Sequence, residues 1–238
     1  MILENAPIKE AIISLIFEDD NSIKFTDLEK IYNEFNEEYI KKTIFEENYS
    51  FLNKKINVTD KCPLGYRFIS KKKKYFYQIE TNKIEFHKLK PYINWKVFLN
   101  DFEYIFNKYH NLVDKNRKVI RMGLRYINEI VLPFPIARLE DYFNIYPKIP
   151  DKLPDTVRDF FLTIEIIDKN RELLGKLMQT IKQTDKEKII FFLDINIEKN
   201  LMSHFEIQEI IKTFDILREY KNEIFFSCLT DKTMEFYK

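Results

Sequence analysis

One stretch of helical periodicity constrains the fold more than any other feature of this sequence. From Trp95 to Leu112, apolar side chains recur three and four residues apart over about five helical turns. A second stretch with the same spacing covers residues 205–221 near the C-terminus. Both apolar stripes need burial, which contributes roughly 1.5–3 kcal/mol for each large side chain. The sequence therefore predicts two long helices that pack on the same side of a sheet.

The segments around these helices alternate apolar and polar residues, which is typical of strands. The first, residues 10–18, is followed by Thr26 and Glu29, which predict a capping box and a helix that continues to Tyr39. Turn residues, including a turn predicted at 63–65, then indicate an antiparallel meander. After residue 115 the order recurs as strand, short helix, three strands and long helix. These later elements before the helix are predicted at 119–132, 137–143, 159–167, 172–182 and 188–198.

This order predicts an α+β fold built from two halves. Residues 1–115 are expected to form a β-α-β4-α half, and residues 116–238 a β-α-β3-α half. Together the halves would form one broad antiparallel sheet with the long helices on one face. The saddle of TATA-binding-like folds is a topological analogy for this arrangement.

The strand RMGLRYINEIVLP, residues 121–133, carries two arginines on one face. Strand alternation places Met122, Leu124 and Tyr126 towards the helices, and Arg121 and Arg125 on the opposite face. Asp194 and Asn196, on a later strand, fall on the same opposite face. Two interpretations remain open: a structural ion pair with Arg125, or a patch that recognises a ligand or partner. The predicted polar patch consists of Arg121, Arg125, Asn128, Asp194 and Asn196.

Composition excludes several classes of protein. Three glycines are too few for a phosphate-binding loop, which needs several at fixed spacing. The histidines and the two cysteines, Cys62 and Cys228, form no metal-binding pattern, so neither a metal nor a cofactor is expected. A formal net charge of +1 gives no overall attraction to nucleic acid. The apolar run at 11–17 is too short to span a membrane, and a cytoplasmic protein without membrane association is expected.

A run of lysines suggests an alternative function as a nucleic-acid-binding module. Lysine side chains would contact phosphates, and the adjacent tyrosines would stack on bases. The simpler interpretation of the run is a solvated turn. The residues concerned are Lys71, Lys72, Lys73, Lys74, Tyr75 and Tyr77.

A second alternative is an enzyme that uses the polar face of the sheet. Arg125 would then hold an anion and Asp194 would act as a base. An arginine beside an aspartate lowers the pKa of the carboxyl group, however, and makes it a poor base. A non-enzymatic protein is therefore expected.

Several short motifs resemble a known family. They are NAPIKEAI (5–12), GYRF (65–68), Gln78, LKPYINW (89–95) with Phe98, GLRYIN (123–128) and the closing F-x-x-x-x-T-D-K from Phe225 to Lys232. With its R-x-G-x-R-Y-I-N core, the chain resembles a sporadically distributed family of uncharacterised bacterial and archaeal proteins. The resemblance implies an accessory protein of an antiviral system, which helps a type II CRISPR effector nuclease. It supplies no catalytic residues.

The expected function is therefore that of a non-enzymatic interaction protein that assists a larger effector, with nucleic acid contacted mainly through that effector. A homodimer is expected because the sequence contains more aromatic residues outside the predicted core than one domain readily buries. Those residues are Tyr39, Phe45, Tyr49, Phe51, Phe134, Tyr142 and Tyr146.

Overall fold

The chain folds around one open, nine-stranded antiparallel sheet, as seen in a computed structural model. The structure describes residues 3, 5–19, 23–34, 39–52, 55–72, 74–112, 117–133, 135–136, 138–150, 152, 159–183, 188–203 and 207–238, of which 34, 45–52, 55–62, 112, 182–183 and 202–203 are described by their backbone alone. The predicted α+β class and the broad antiparallel sheet are confirmed.

Strands and helices follow one another along the chain in a simple order. The strands are β1 (Ile8–Phe17), β2 (Tyr39–Leu52), β3 (Lys55–Ser70), β4 (Tyr75–Glu80), β5 (Lys83–Leu89), β6 (Val119–Pro133), β7 (Phe161–Asp168), β8 (Leu173–Gln183) and β9 (Lys188–Ser203). The α-helices within the described residues are α1 (Leu28–Glu34), α2 (Trp95–Leu112), α3 (Ile207–Cys228) and α4 (Asp231–Glu235), and 3-10 turns cover Phe25–Asp27 and Leu139–Asp141.

The first strand lies at the centre of the sheet. The strand order is β2-β3-β4-β5-β1-β6-β9-β8-β7, so β1 separates the meander β2 to β5 from the group formed by β6 to β9. Arg125 of β6 pairs with Ile12 of β1 on one side and with Asn196 of β9 on the other. The two groups of strands therefore meet along the β1–β6 pair.

Both long helices pack on one face of the sheet. Phe98 of α2 lies 6.3 Å from the ring of Tyr126, and the Lys221 ammonium of α3 lies 4.1 Å from the same ring. The helices also contact each other through Phe102 and Phe214, whose ring centroids are 5.4 Å apart. Burial alternates along β1 as predicted, with Ala11, Ile13, Leu15 and Phe17 in a continuous core between the sheet and the helices.

The predicted turn at 63–65 is wrong, because these residues lie inside β3. Gly65 pairs with Ile44 on β2 and with Glu80 on β4, next to a β-bulge between Ile44 and Phe45. A Cβ atom at Gly65 would lie 2.0 Å from the carbonyl oxygen of Ile79. The glycine therefore allows a close approach of two backbones instead of reversing the chain.

The first helix is also shorter than predicted. Thr26 lies in the 3-10 turn, where the backbone N–H of Lys24 donates to Asp27 Oδ2 at 3.0 Å. The α-helix then runs from Leu28 to Glu34, and Tyr39 begins β2. The Lys24–Asp27 hydrogen bond, two residues earlier in the chain, takes the place of the predicted capping box at Thr26 and Glu29.

The aromatic residues that were expected to lie outside the core are buried or partly buried wherever their side chains are described. Tyr142 is buried, and Tyr39 and Tyr146 pack against the core. Phe143, next to Tyr142 in the chain, is also buried, and its ring lies 4.7 Å from that of Phe191. The side chains of Phe45, Tyr49, Phe51 and Phe134 lie outside the described residues.

Candidate functional site

Arg125 and Asp194 meet on the sheet face opposite the helices. The Arg125 Nε donates to Asp194 Oδ1 at 2.9 Å, and Nη2 donates to Oδ2 at 2.5 Å. The arginine side chain is 39% exposed and the aspartate side chain 12% exposed. This hydrogen bond also raises the pKa of Arg125. The geometry matches the structural ion-pair interpretation, because the guanidinium is already held by a bidentate partner.

Four of the five predicted patch residues lie on this open face and are joined in two groups. Beside the Arg125–Asp194 pair, Arg121 Nη1 lies 3.3 Å from Glu198 Oε2. Asn196 donates its side-chain N–H to the other oxygen of Glu198 at 2.9 Å. These polar side chains are therefore connected to one another across β6 and β9.

Asn128 does not belong to this patch. It is buried on the helix side, and its Nδ2 donates to the backbone oxygen of Leu193 at 3.0 Å. The reason is strand alternation: Asn128 lies two residues after Tyr126, so both side chains point to the same face.

A partly buried histidine cluster on the open face was not predicted. His87 Nδ1 lies 2.8 Å from Glu10 Oε1, and its Nε2 lies 3.5 Å from Glu85 Oε2. Phe76 stacks on the imidazole at 4.1 Å, and the guanidinium of Arg67 lies 5.0 Å from the Phe76 ring centroid. Desolvation lowers the pKa of His87, but the hydrogen bond to Glu10 and the nearby carboxylate of Glu85 outweigh it and leave the pKa raised.

The signal for this cluster was only partly present in the sequence. Glu85 and His87 are two residues apart in a strand pattern, which places them on one face. Their partner Glu10 comes from β1, and the β1–β5 pairing that brings it close is a long-range contact. Periodicity alone gives no information about that pairing.

The predicted stacking surface for nucleic acid is not available on the β3–β4 hairpin. Lys71, Lys72 and Lys74 are exposed at the turn, whereas Tyr75 and Tyr77 point into the core. Both tyrosine rings pack on Phe86 instead. Strand alternation explains the correction, because Tyr75 and Tyr77 share the helix-facing side of β4. Lys73 lies outside the described residues.

On the helix side, a cavity of about 220 Å³ opens between the chain before β1, the β5–α2 connection, β6 and α3. Residues 6–8, 92–95, Tyr126 and Asn128 contribute to its wall. Three of the segments that carry the family resemblance, residues 5–12, 89–95 and 123–128, therefore meet at one place. Tyr92 and Tyr126 join their hydroxyls there at 2.9 Å.

Two cations from α3 line this cavity, and neither was singled out in the sequence. Lys221 is 7% exposed, and its ammonium donates to Asn222 Oδ1 at 2.6 Å. Burial, together with the nearby charge of Arg218, lowers the pKa of Lys221 to about 7. A signal was present: Lys221 stands four residues after Leu217 and three before Ile224, as a lone charge in the apolar stripe of the helix.

Other kinds of site find no support in the part of the chain that the structure describes. No three His, Cys, Asp or Glu side chains are grouped there as a metal site would require. Cys228 is buried, and this burial raises the pKa of its thiol to about 12. None of the described helices combines the length and the apolar character needed to span a membrane. Neither a scan against protein-family models nor a search of curated proteins finds a match for this chain.

Proposed function

We propose that this protein is a cytoplasmic, non-enzymatic interaction protein that forms a homodimer and assists a larger effector in prokaryotic antiviral defence. The resemblance noted in the sequence is the basis for the effector, a CRISPR nuclease of type II. The observation that carries the dimer is the exposed apolar edge of the sheet at β7.

Strand β7 ends the sheet and pairs with β8 along one side. Its side chains Phe161 and Ile167 are 71% and 69% exposed. No described strand pairs with the other side of β7, and we propose that a strand of a second chain pairs there. An edge strand that exposes large apolar side chains is a template for pairing with another chain.

A second copy of the chain fits this edge well. Antiparallel pairing of β7 with β7, centred on Ile164, would place Phe161 of one copy opposite Ile167 of the other. Aromatic and β-branched side chains form favourable cross-strand pairs. The two-fold axis would create this Phe161–Ile167 contact twice, once on each side of Ile164. Closed two-fold dimers are the commonest assemblies.

The open face of the sheet is the proposed contact surface for the effector. It lies opposite α2 and α3 and carries the Arg125–Asp194 pair and the His87 cluster. The proposed saddle, with residues 1–115 and 116–238 as its halves, would present this face as one continuous surface. A dimer would present the surface twice and gain avidity for an effector without new contacts.

Light scattering of the purified full chain tests the dimer. Wild type is expected at about twice the 29.1 kDa of one chain, and Ile167→Asp near 29.1 kDa with an unchanged melting temperature. Ile93→Asp is the matched control, because Ile93 is 67% exposed but lies on the helix side. A monomeric wild type, or equal masses for the two variants, would contradict the β7 dimer.

Affinity purification from the native host with mass spectrometry tests the effector surface. The double variant Arg121→Glu with Lys176→Glu reverses charge on the open face, whereas Lys96→Glu with Lys212→Glu does so on exposed residues of α2 and α3. A large effector is expected with wild type and with the helix-side variant, but not with the open-face variant. Equal recovery with both double variants would rule out this face.

A further inference from the structure

The described residues that line the cavity between α3 and β6 include two positive charges and no negative charge. Arg218 and Lys221 lie one turn apart on α3, and no aspartate or glutamate lines the cavity within the described ranges. Neither cation forms an ion pair with another described side chain. The one hydrogen bond of the Lys221 ammonium, to Asn222, leaves two of its donors for another acceptor.

A buried ammonium without a counter-ion is costly, because it has lost water and gained no opposite charge. The ring of Tyr126, 4.1 Å from the Lys221 Nζ, compensates in part. The pKa of Lys221 is lowered for the same reason, because burial and the nearby charge of Arg218 both disfavour the charged amine. An anion in the cavity would supply the missing partner and return the amine to its charged form.

Aromatic side chains form part of the cavity wall. Tyr92, Trp95, Tyr126 and Phe225 contribute rings, and the Arg218 guanidinium lies 5.4 Å from the Trp95 ring centroid. Trp95 is fixed in place, since its Nε1 donates to Asp215 Oδ1 at 2.7 Å. Such walls suit a flat apolar body, and the cations at one side suit its charged end.

The size of the cavity limits the ligand. Its volume of about 220 Å³ is below the roughly 300–1,000 Å³ of pockets for drug-sized ligands. We therefore expect a ligand smaller than a nucleotide or a folded peptide segment. A small phosphate alone would leave the aromatic walls uncovered.

We propose that this cavity binds a small organic carboxylate with a flat apolar body. The carboxylate lies between Lys221 and Arg218, and the apolar body lies against Trp95 and Tyr92. The Tyr92–Tyr126 hydroxyl pair and Asn128 border the site and orient the bound molecule. This site is independent of the proposed dimer and of the open sheet face, because it lies on the opposite side of the sheet.

Trp95 makes the proposal directly measurable, because it is the chain's one tryptophan. Its fluorescence in the full chain is recorded while phenylacetate, benzoate or cinnamate is added. The neutral isostere phenylacetamide and inorganic phosphate serve as probes for the charge and for the apolar body. We expect a saturable change with at least one of the three carboxylates, and binding of phenylacetamide and phosphate at least tenfold weaker.

Two variants assign the binding to the cavity. Lys221→Met and Arg218→Gln are each expected to weaken carboxylate binding at least tenfold, with circular dichroism like that of wild type. Lys212→Met, an exposed lysine on the same helix, is expected to leave binding unchanged. If Lys221→Met does not fold, Arg218→Gln decides the test. Equal affinity for acid and amide, unchanged binding in the variants, or no saturable change with any of the three carboxylates would overturn the proposal.

Discussion

The guanidinium of Arg125 and the carboxylate of Asp194 form two parallel hydrogen bonds on a diagonal of the sheet. Arg125 is directly opposite Asn196, and Asp194 is directly opposite Ile127, so the ion pair spans two rows of the β6–β9 ladder. The ion pair therefore helps to fix the register between β6 and β9. A slip by one residue would move the two side chains to opposite faces.

Replacement of Arg125 by alanine is expected to lower the free energy of unfolding by roughly 1–3 kcal/mol, because Asp194 would remain nearly buried without its partner. The matched control is Arg121→Ala, whose side chain is 44% exposed and whose loss should cost under about 1 kcal/mol. Urea denaturation measures both values. A loss at Arg121 that equals the loss at Arg125 would contradict the role of burial.

The raised pKa of His87 predicts a pH-dependent contribution to stability. A histidine whose pKa is higher in the folded state stabilises the fold fully below its unfolded pKa of about 6.5, and this contribution is lost as the pH rises through the folded value. The stability difference between wild type and His87→Gln should therefore be larger at about pH 6 than at about pH 8.5. Urea titrations at both values measure it, and a difference that grows with pH would show the opposite linkage.

Gly65 and Gly123 should respond differently to the same added methyl group. At Gly65 the new Cβ atom meets the backbone of β4, which cannot move away, so Gly65→Ala should cost about 3 kcal/mol. At Gly123 it meets the Ser14 Oγ at 2.4 Å, and this hydroxyl can rotate, so Gly123→Ala should cost under about 1 kcal/mol. Thermal and urea unfolding compare the two variants. A larger loss at Gly123 would mean that Ser14 is held in place.

Lys221→Met should stabilise the ligand-free protein by more than about 1 kcal/mol at neutral pH, because methionine fills similar space without a buried charge. Burial lowers the pKa of Lys221 to about 7, so the unfolded chain binds more protons between that value and the usual 10.5. Wild type should accordingly gain stability as the pH rises above 7, and the advantage of the variant should shrink. Unfolding measured at about pH 6.5 and about pH 9 checks this trend. A constant advantage would indicate a packing effect instead.

Periodicity predicted the elements that have one buried face. The apolar spacing of α2 and α3 correctly predicted which side of each helix is buried, because a helix buries every third to fourth residue. The alternation of Met122 and Arg121 correctly predicted the two faces of β6, because a strand buries every second residue. Gly65 was misread as a turn residue, since the sequence shows a glycine without the strand that approaches it. The sites depended on pairing between distant strands and on one lysine in an apolar stripe. The His87 cluster therefore could not be predicted without the β1–β5 pairing, whereas the sequence marks Lys221 only as a lone charge in the apolar stripe of α3 and does not give its neighbours in the cavity.

The central position of β1 has a consequence for the order in which the chain folds. The meander β2 to β5 is assembled from neighbouring segments, whereas β1 gains its second partner, β6, only after residues 119–133 have been synthesised. Until then Ile12 and its neighbours form an unpaired edge, and contacts so distant in sequence slow folding. A fragment that ends at residue 115 should therefore self-associate through β1, and adding the separate fragment 116–238 should suppress this by supplying β6.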